Sequence, residues 1–181
     1  MYPHFSLIWK RYLPKQMKTK GIVINTSPWI ALSLCGKTSL LKAIYSRVLM
    51  PEQVKKEILR GGPDSVGVKE LKTADWLQVQ AIKNQDKIEL LYELDKGEAE
   101  VIILAKDKGI QQVLIDEKIA RQQASVLGLQ VRGTLGLLLH AKKRNLIPEL
   151  KPLIAAIREN GIWIKDDIVQ GILREAGELD A

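Results

Sequence analysis

Two polar residues, Asp116 and Asn25, each come directly after a short apolar run of the kind that forms a buried strand. Asp116 follows the run Val-Leu-Ile at 113–115, and Asn25 follows the run Ile-Val-Ile at 22–24. In right-handed β-α-β units the carboxyl ends of the strands lie at one edge of the sheet, where ligands usually bind. We therefore expect the Asp116 carboxylate and the Asn25 amide to lie close together at that edge.

Three glutamates are predicted to join them. Glu98 opens a helical segment and shares a face with the apolar residues that must pack on the sheet. Glu57 lies on the inward flank of another helical segment, and Glu117 directly follows Asp116. Glu100 lies about 200° around the helix from Glu98, so we expect it to face solvent and exclude it from the site.

A cluster of this composition would bind a hard divalent cation. Carboxylates repel one another unless a cation compensates them, and sites made only of oxygen donors suit Mg²⁺ or Mn²⁺ rather than Zn²⁺. Such a site can activate water and neutralise the transition state of phosphodiester hydrolysis. We predict metal-assisted hydrolysis, with catalytic residues Glu57, Glu98 and Asp116 and with metal ligands Asn25, Glu98, Asp116 and Glu117.

Each acidic residue also has a purely structural interpretation. Asp116 could cap the helix that begins near residue 118, and Glu98 in a first helical turn is favoured by the helix dipole whatever the function. Glu57 could lie on a solvated flank, and Glu117 could pair with Arg121 four residues later. No single residue is specific, so the hypothesis depends on their convergence at one edge.

From residue 21 onward, short β-branched runs alternate with helical stretches, which predicts an α/β fold with a parallel sheet covered by helices. The predicted strands span 22–25, 47–50, 113–116 and 129–132, with weaker candidates at 77–81 and 162–164. The predicted helices span 28–34, 38–45, 51–60, 97–108, 117–127, 134–144, 149–159 and 167–176. Ser27 is the predicted N-cap of the first helix, and Gly36, Gly109 and Gly128 are predicted C-cap glycines.

Composition and charge predict one domain and a basic arm. The chain has 181 residues and a net charge of +7, of which +5 falls within residues 1–20. We expect this arm to be poorly ordered and residues 21–181 to form the domain. The single cysteine excludes an internal disulfide and suits the cytoplasm, and no apolar run is long enough to cross a membrane. Trp29, Trp76 and Trp163 are expected in the core or at its edge.

Five short motifs, in order, resemble those of the PIN-domain superfamily. They are Ile24-Asn25-Thr26-Ser27-Pro28; Met50-Pro51 followed by Val54 and Glu57; Gly97-Glu98-Ala99-Glu100; Leu114-Ile115-Asp116-Glu117 followed by Ala120-Arg121; and Gly133-Thr134-Leu135-Gly136. The resemblance runs from about residue 21 to about residue 177. It is strongest to the small stand-alone, VapC-like proteins regarded as toxins of toxin–antitoxin pairs.

The resemblance implies a three-layer α/β/α sandwich, a site for Mg²⁺ or Mn²⁺ and endoribonuclease activity on RNA. It also implies a cognate antitoxin protein and a homodimer. The family's acidic positions correspond to Asn25, Glu57, Glu98 and Asp116. Residues expected to contact the substrate are Thr26, Ser27, Arg121 and Thr134.

Asn25 departs from the family pattern, because the first acidic position is normally Asp. An amide oxygen can coordinate a hard cation, but it brings no negative charge and orients a water less strongly. We therefore expect a ribonuclease weakened at this position. The alternative is a catalytically degenerate PIN-like domain that binds RNA or a protein partner without cleavage.

Overall fold

A parallel sheet of five strands forms the centre of the computed structural model, which describes residues 19–179. The strands are β1 (Thr19–Ile24), β2 (Tyr45–Pro51), β3 (Leu77–Gln80), β4 (Gln112–Leu114) and β5 (Gln130–Arg132). They lie in the order β3-β2-β1-β4-β5, and every neighbouring pair is parallel. The central strands β1, β2 and β4 are apolar and buried over residues 22–24, 48–50 and 113–114, because helices cover both faces there. The strands predicted around these five segments are confirmed, with ends that differ by at most three residues.

Nine α-helices and one 3₁₀-helix accompany the sheet in the described part of the chain. They are α1 (Thr26–Leu34), α2 (Ser39–Ile44), α3 (Glu52–Arg60), α4 (Val68–Thr73), the 3₁₀-helix (Gln85–Leu91), α5 (Lys96–Asp107), α6 (Lys118–Val126), α7 (Thr134–Lys143), α8 (Lys151–Glu159) and α9 (Asp166–Glu175). The eight predicted helices are confirmed, whereas α4 and the 3₁₀-helix were not predicted. Both are short, and α4 buries only Val68, so neither carries a clear helical periodicity.

The helices form two layers. The chain moves one way along the sheet from β1 to β3 and then the opposite way through β4 to β5, so right-handed crossovers put the two sets of helices on opposite faces. Helix α5 packs on β1, β2 and β4 and against α6. Helices α1, α7, α8 and α9 are linked by mutual packing contacts. The predicted three-layer α/β/α fold is therefore confirmed.

One edge of the sheet collects strand ends and helix starts, and we call it the carboxyl edge. Helices α1, α3, α6 and α7 each begin within a few residues of the end of β1, β2, β4 and β5, respectively. Helix α5 precedes β4 and runs back towards its beginning, so the start of α5 also lies at this edge. The N–H groups of five helix starts therefore surround the ends of four strands.

Glu178 joins three helix ends at the opposite edge. Its carboxylate accepts hydrogen bonds from Lys142 Nζ in the last turn of α7 (2.5 Å) and from the backbone N–H groups of Leu150 (2.6 Å) and Lys151 (2.7 Å) at the start of α8. Burial alone would raise the pKa of Glu178, but these hydrogen bonds and the Lys142 charge outweigh it and lower that pKa. The charged carboxylate therefore stabilises this end of the helix layer.

Residues 162–164 are not a strand, which corrects the weaker prediction. They form an extended link between α8 and α9 and pair with no strand of the described chain. Ile162 and Ile164 pack against the core, so the alternation of an extended segment turns Trp163 outwards. Trp163 is 75% exposed, and its predicted place at the core edge is wrong, whereas Trp29 is fully buried as predicted.

The proposed basic arm, residues 1–20, lies almost wholly outside the described residues and stays a prediction. Strand β1 begins at Thr19, within the last two residues assigned to that arm. None of the helices between residues 19 and 179 combines the length and the apolar character needed to cross a bilayer.

We expect Glu178→Gln to lower the free energy of unfolding by about 1–3 kcal/mol, because hydrogen bonds to a mostly buried charge contribute about that much. Since its pKa is lowered on folding, the Glu178 contribution is present above the unfolded-state value of about 4.3 and is lost as pH falls through the folded-state value. Urea unfolding at several pH values measures this, and the difference from the wild type should shrink below about pH 4.

Glu175→Gln is the matched control. Glu175 pairs with Lys143 between the same two helices, but both side chains are more than half exposed. Its loss should change the free energy of unfolding by less than about 1 kcal/mol. Equal effects of the two substitutions would contradict the conclusion that the Glu178 carboxylate stabilises this end of the helix layer.

Candidate functional site at the carboxyl edge

Asp116 connects the end of β4 to the start of α7. Its Oδ1 accepts a hydrogen bond from the Thr134 backbone N–H (2.7 Å), and its Oδ2 accepts one from the Thr134 hydroxyl (2.6 Å). Thr134 is the first residue of α7, so its N–H has no partner within its own helix. Asp116 therefore does not act as the cap of α6, whose N-cap position is Glu117. Its carboxylate is held in one orientation at the carboxyl edge.

Asn25 lies beside Asp116 at the end of β1. Its backbone N–H donates to the carbonyl of Leu114 (3.1 Å), two residues before Asp116. The Asn25 side chain is buried, with 3% of the residue exposed, and its Oδ1 has no hydrogen-bond partner among the described residues. Asn25 is also the N-cap residue of α1, so the prediction of Ser27 as that cap is wrong. A buried oxygen without a donor can accept a cation or a hydrogen bond from a water.

Glu57 on α3 reaches both α1 and α5. Its Oε2 accepts a hydrogen bond from the Thr26 hydroxyl (2.5 Å), and its Oε1 accepts one from the side-chain amide of Gln53 (3.1 Å). A Cβ atom at Gly97 would lie only 2.6 Å from Glu57 Oε1. Glycine at this position therefore allows the carboxylate to rest on the first turn of α5, and Glu57 is not a freely solvated residue.

Glu98 occupies the first turn of α5. Its carboxylate accepts from the backbone N–H of Asp95 (3.3 Å), while the Asp95 carboxylate accepts from the Glu98 N–H (2.8 Å), which forms a capping box. Burial raises the pKa of Glu98, and the negative charges of Asp95, Glu117 and Glu57 raise it further. These four carboxylates therefore share one electrostatic neighbourhood at the carboxyl edge.

Glu117 and Arg121 behave differently from a simple ion pair. The Arg121 guanidinium donates to the Ile115 carbonyl (3.0 Å) and lies against Gly133, where a Cβ would be 2.7 Å from its Nη1. Arg121 thus fixes the strand end that leads into Asp116. Glu117 is exposed beside it, with its charge acting on Glu98.

Ser27, the remaining predicted substrate contact, lies next to Thr26 in the first turn of α1 and is partly exposed. Its position leaves the hydroxyl near the same edge. Asp95 was not predicted as part of this neighbourhood. The signal for it was present in the sequence, because Asp95 and Glu98 have the spacing of a capping box.

Glu100 is buried, which corrects the expectation that it faces solvent. Only 4% of Glu100 is exposed, and its carboxylate accepts a long hydrogen bond from the Gln53 backbone N–H (3.4 Å) at the start of α3. The opposite side of α5 from Glu98 is covered by α3, so it has no solvent face here. Burial raises the pKa of Glu100.

The oxygen donors suit a cation that keeps most of its water. No group of three or more His, Cys, Asp and Glu side chains between residues 19 and 179 is arranged as a metal cage. Mg²⁺ is usually held by one or two carboxylates, several waters and substrate phosphates rather than by such a cage. Asp116, Glu98 and the unpartnered Asn25 Oδ1 fit this chemistry, because all three are oxygen donors and the amide oxygen is already desolvated.

Comparison with known proteins gives one match. A family model described as a PIN domain matches residues 21–178, which is most of the chain. No curated protein and no solved structure gave a significant match.

Glu98→Gln should stabilise the metal-free protein near pH 8. Glutamine keeps the capping box but removes the charge, and the raised pKa of Glu98 means that its charged form is disfavoured on folding. A carboxyl group whose pKa is raised on folding stabilises the folded protein at pH values below its unfolded-state pKa of about 4.3. This stabilisation is lost as pH rises through its folded-state pKa. Calorimetric Tm values in EDTA should therefore show a gain near pH 8 that disappears towards pH 4.

Glu89→Gln is the control for this measurement, because Glu89 is an exposed residue of the 3₁₀-helix. We expect it to leave Tm nearly unchanged at both pH values. A Glu98→Gln gain of the same size at pH 4 and pH 8, or no gain at all, would contradict the electrostatic account of the site.

Proposed function

We propose, from the premise that this chain belongs to the PIN-domain family, that it is a ribonuclease dependent on Mg²⁺ or Mn²⁺. PIN domains are generally nucleases that use divalent metal ions, so the family supports a hydrolase acting on phosphodiesters. The observation that carries the proposal is the buried, unpartnered Asn25 Oδ1 at the same edge as the Asp116 and Glu98 carboxylates.

Asp116, Glu98 and Asn25 would hold the metal, with Glu117 as a further ligand. The bound ion would supply an activated water and would neutralise charge that develops on the phosphate. Thr134 keeps both Asp116 oxygens at fixed positions through its N–H and its hydroxyl. The raised pKa of Glu98 disfavours its charged form until a cation compensates the neighbouring carboxylates.

Glu57 would be a further ligand or would orient the attacking water. Thr26 and Gln53 hold its two oxygens, and Gly97 leaves room for the carboxylate at the start of α5. Thr26, Ser27, Arg121 and Thr134 would then lie near the RNA backbone. Of these, Arg121 carries the positive charge that suits a phosphate.

The resemblance to stand-alone toxin-type PIN proteins supports three finer proposals. The protein would cut RNA in the cytoplasm as the toxin of a toxin–antitoxin pair, a cognate antitoxin would bind it, and it would form a homodimer. Copurification with the product of a neighbouring gene, and its loss of activity in that complex, would test the antitoxin.

A second function is favoured by Asn25 itself. With an amide in the first acidic position the site has one negative charge fewer than the family pattern, and a degenerate PIN-like domain would bind RNA or a protein partner without cleavage. The two functions differ in one observable, which is metal-dependent loss of intact RNA.

Asp116→Asn should lower RNA cleavage at least about 100-fold, because even residues that only support metal ligands typically cost 10- to 100-fold when changed. An amide cannot accept from both Thr134 donors while also offering a charged oxygen to a cation. Cleavage of a labelled RNA with Mn²⁺, and its arrest by EDTA, measures this. Thr134→Ser is the control, since it keeps both donors. Unchanged cleavage in Asp116→Asn would show that the site is misassigned.

Asn25→Asp should increase cleavage and metal affinity, since it restores a carboxylate next to Asp116 and Glu98. Without metal the same substitution should lower Tm, because it adds a charge at a position that is 3% exposed. Cleavage rates and Tm with and without Mn²⁺ give both readouts. A Tm that falls equally with and without Mn²⁺ would argue against a cation at this position.

A further inference from the structure

Two aromatic side chains stand out by their exposure. Among the aromatic residues between positions 21 and 179, Trp29 and Tyr45 are buried and Trp76 is partly buried, but Tyr92 is 83% exposed and Trp163 is 75% exposed. Burying such a large aromatic surface on a ligand is favourable, and Tyr and Trp are enriched at binding interfaces.

Tyr92 lies beside the acidic site. It precedes Asp95 by three residues, and three residues of chain span at most about 10 Å. Asp95 forms the capping box with Glu98 at the carboxyl edge. The next residue after Tyr92, Glu93, accepts a hydrogen bond from Gln123 of α6 (2.7 Å), which ties this turn to the α5–α6 layer.

Trp163 belongs to the other helix layer, where it lies in the link between α8 and α9. Glu178 and the Lys143–Glu175 pair hold the end of α7, the start of α8 and the end of α9 together at the opposite edge. These helices have nine or ten residues each and are therefore about 13–15 Å long. Thr134 puts the start of α7 at the carboxyl edge, and since α8 contacts α1 and α9 contacts α7, we infer that the end of α8 and the start of α9 lie there too. The link that carries Trp163 joins these two helix ends.

Three exposed lysines occupy helix starts, two at this edge and one at the start of α9. Lys96 and Lys118 are the first residues of α5 and α6, and Lys165 is the N-cap residue of α9. A cation at a helix start opposes the helix dipole, so these positions are unfavourable for helix stability alone. They are well placed for the phosphates of a nucleic acid. Lys165 is followed by two carboxylates, of which Asp166 pairs with Arg158 (2.8 Å) and Asp167 is a further negative charge in the same turn.

We propose that Tyr92 and Trp163 are stacking platforms for unpaired RNA bases on either side of the acidic site. Lys96, Lys118 and Lys165 would contact the phosphates of the same strand. This inference rests on the proposed function, because that strand would pass the acidic residues between the platforms. Paired bases are already stacked in a duplex, so the platforms select single-stranded RNA and tolerate different base sequences.

The test measures binding of a labelled single-stranded oligoribonucleotide by fluorescence anisotropy, with the full chain in EDTA so that metal-dependent cleavage does not consume the RNA. Trp163→Ala and Tyr92→Ala should each raise Kd roughly 5- to 150-fold, which is the range for one lost base–aromatic stack. Trp163→Phe should retain most of the affinity. Val126→Ala is the matched control, because Val126 is 86% exposed but lies at the far end of α6.

Unchanged Kd for RNA in both alanine variants would overturn the proposal. This includes the outcome in which the variants lose binding to a protein partner but not to RNA. An equal loss in Val126→Ala, or equal affinity of the wild type for a fully paired hairpin, would overturn it as well. A cleavage assay on the same RNA with Mn²⁺ tests the proposed function separately. A loss of binding in the alanine variants without any cleavage by the wild type would support the platforms and contradict the nuclease.

Discussion

The repulsion between carboxylates gathered at one edge of a parallel sheet is the constraint on which this site depends. The fold offsets part of it with helix N-termini, where N–H groups favour negative charge. Asp116 accepts from the first N–H of α7, and Glu98 lies in the first turn of α5. The compensation is incomplete at Glu98, because burial and three neighbouring carboxylates still raise its pKa. A divalent cation would supply the missing positive charge.

Asn25 changes this balance without changing the architecture. An amide lowers the negative charge of the cluster by one while keeping an oxygen donor at the end of β1. That oxygen is buried and lacks a donor among the described residues, and an unsatisfied buried acceptor costs about 1–3 kcal/mol. The position therefore keeps an oxygen that a cation or a water could satisfy, although it lacks the charge of the family pattern.

The sequence was sufficient for the five strands and for eight of the nine α-helices of the described chain, because their signals are local. Apolar runs mark the parallel strands, and Gly36, Gly109 and Gly128 end their helices with positive φ angles of 65°, 63° and 79° as expected of C-cap glycines. The carboxyl-edge rule then brought Asn25 and Asp116 together. The wrong predictions of side-chain exposure concern residues whose surroundings are set by tertiary packing. Glu100 was expected in solvent because a helix usually has a solvent face, but α5 is covered on both flanks. Trp163 was expected in the core or at its edge, although its extended segment turns it outwards.

Anomalous scattering from crystals soaked in Mn²⁺ would test the central claim most directly. The account predicts one strong peak within bonding distance of Asp116 and of the Asn25 amide oxygen, with Glu98 bonded to it directly or through water. The peak should vanish when the soak contains EDTA. Mn²⁺ bound only elsewhere on the surface, with the Asn25 and Asp116 oxygens free of it, would contradict the account.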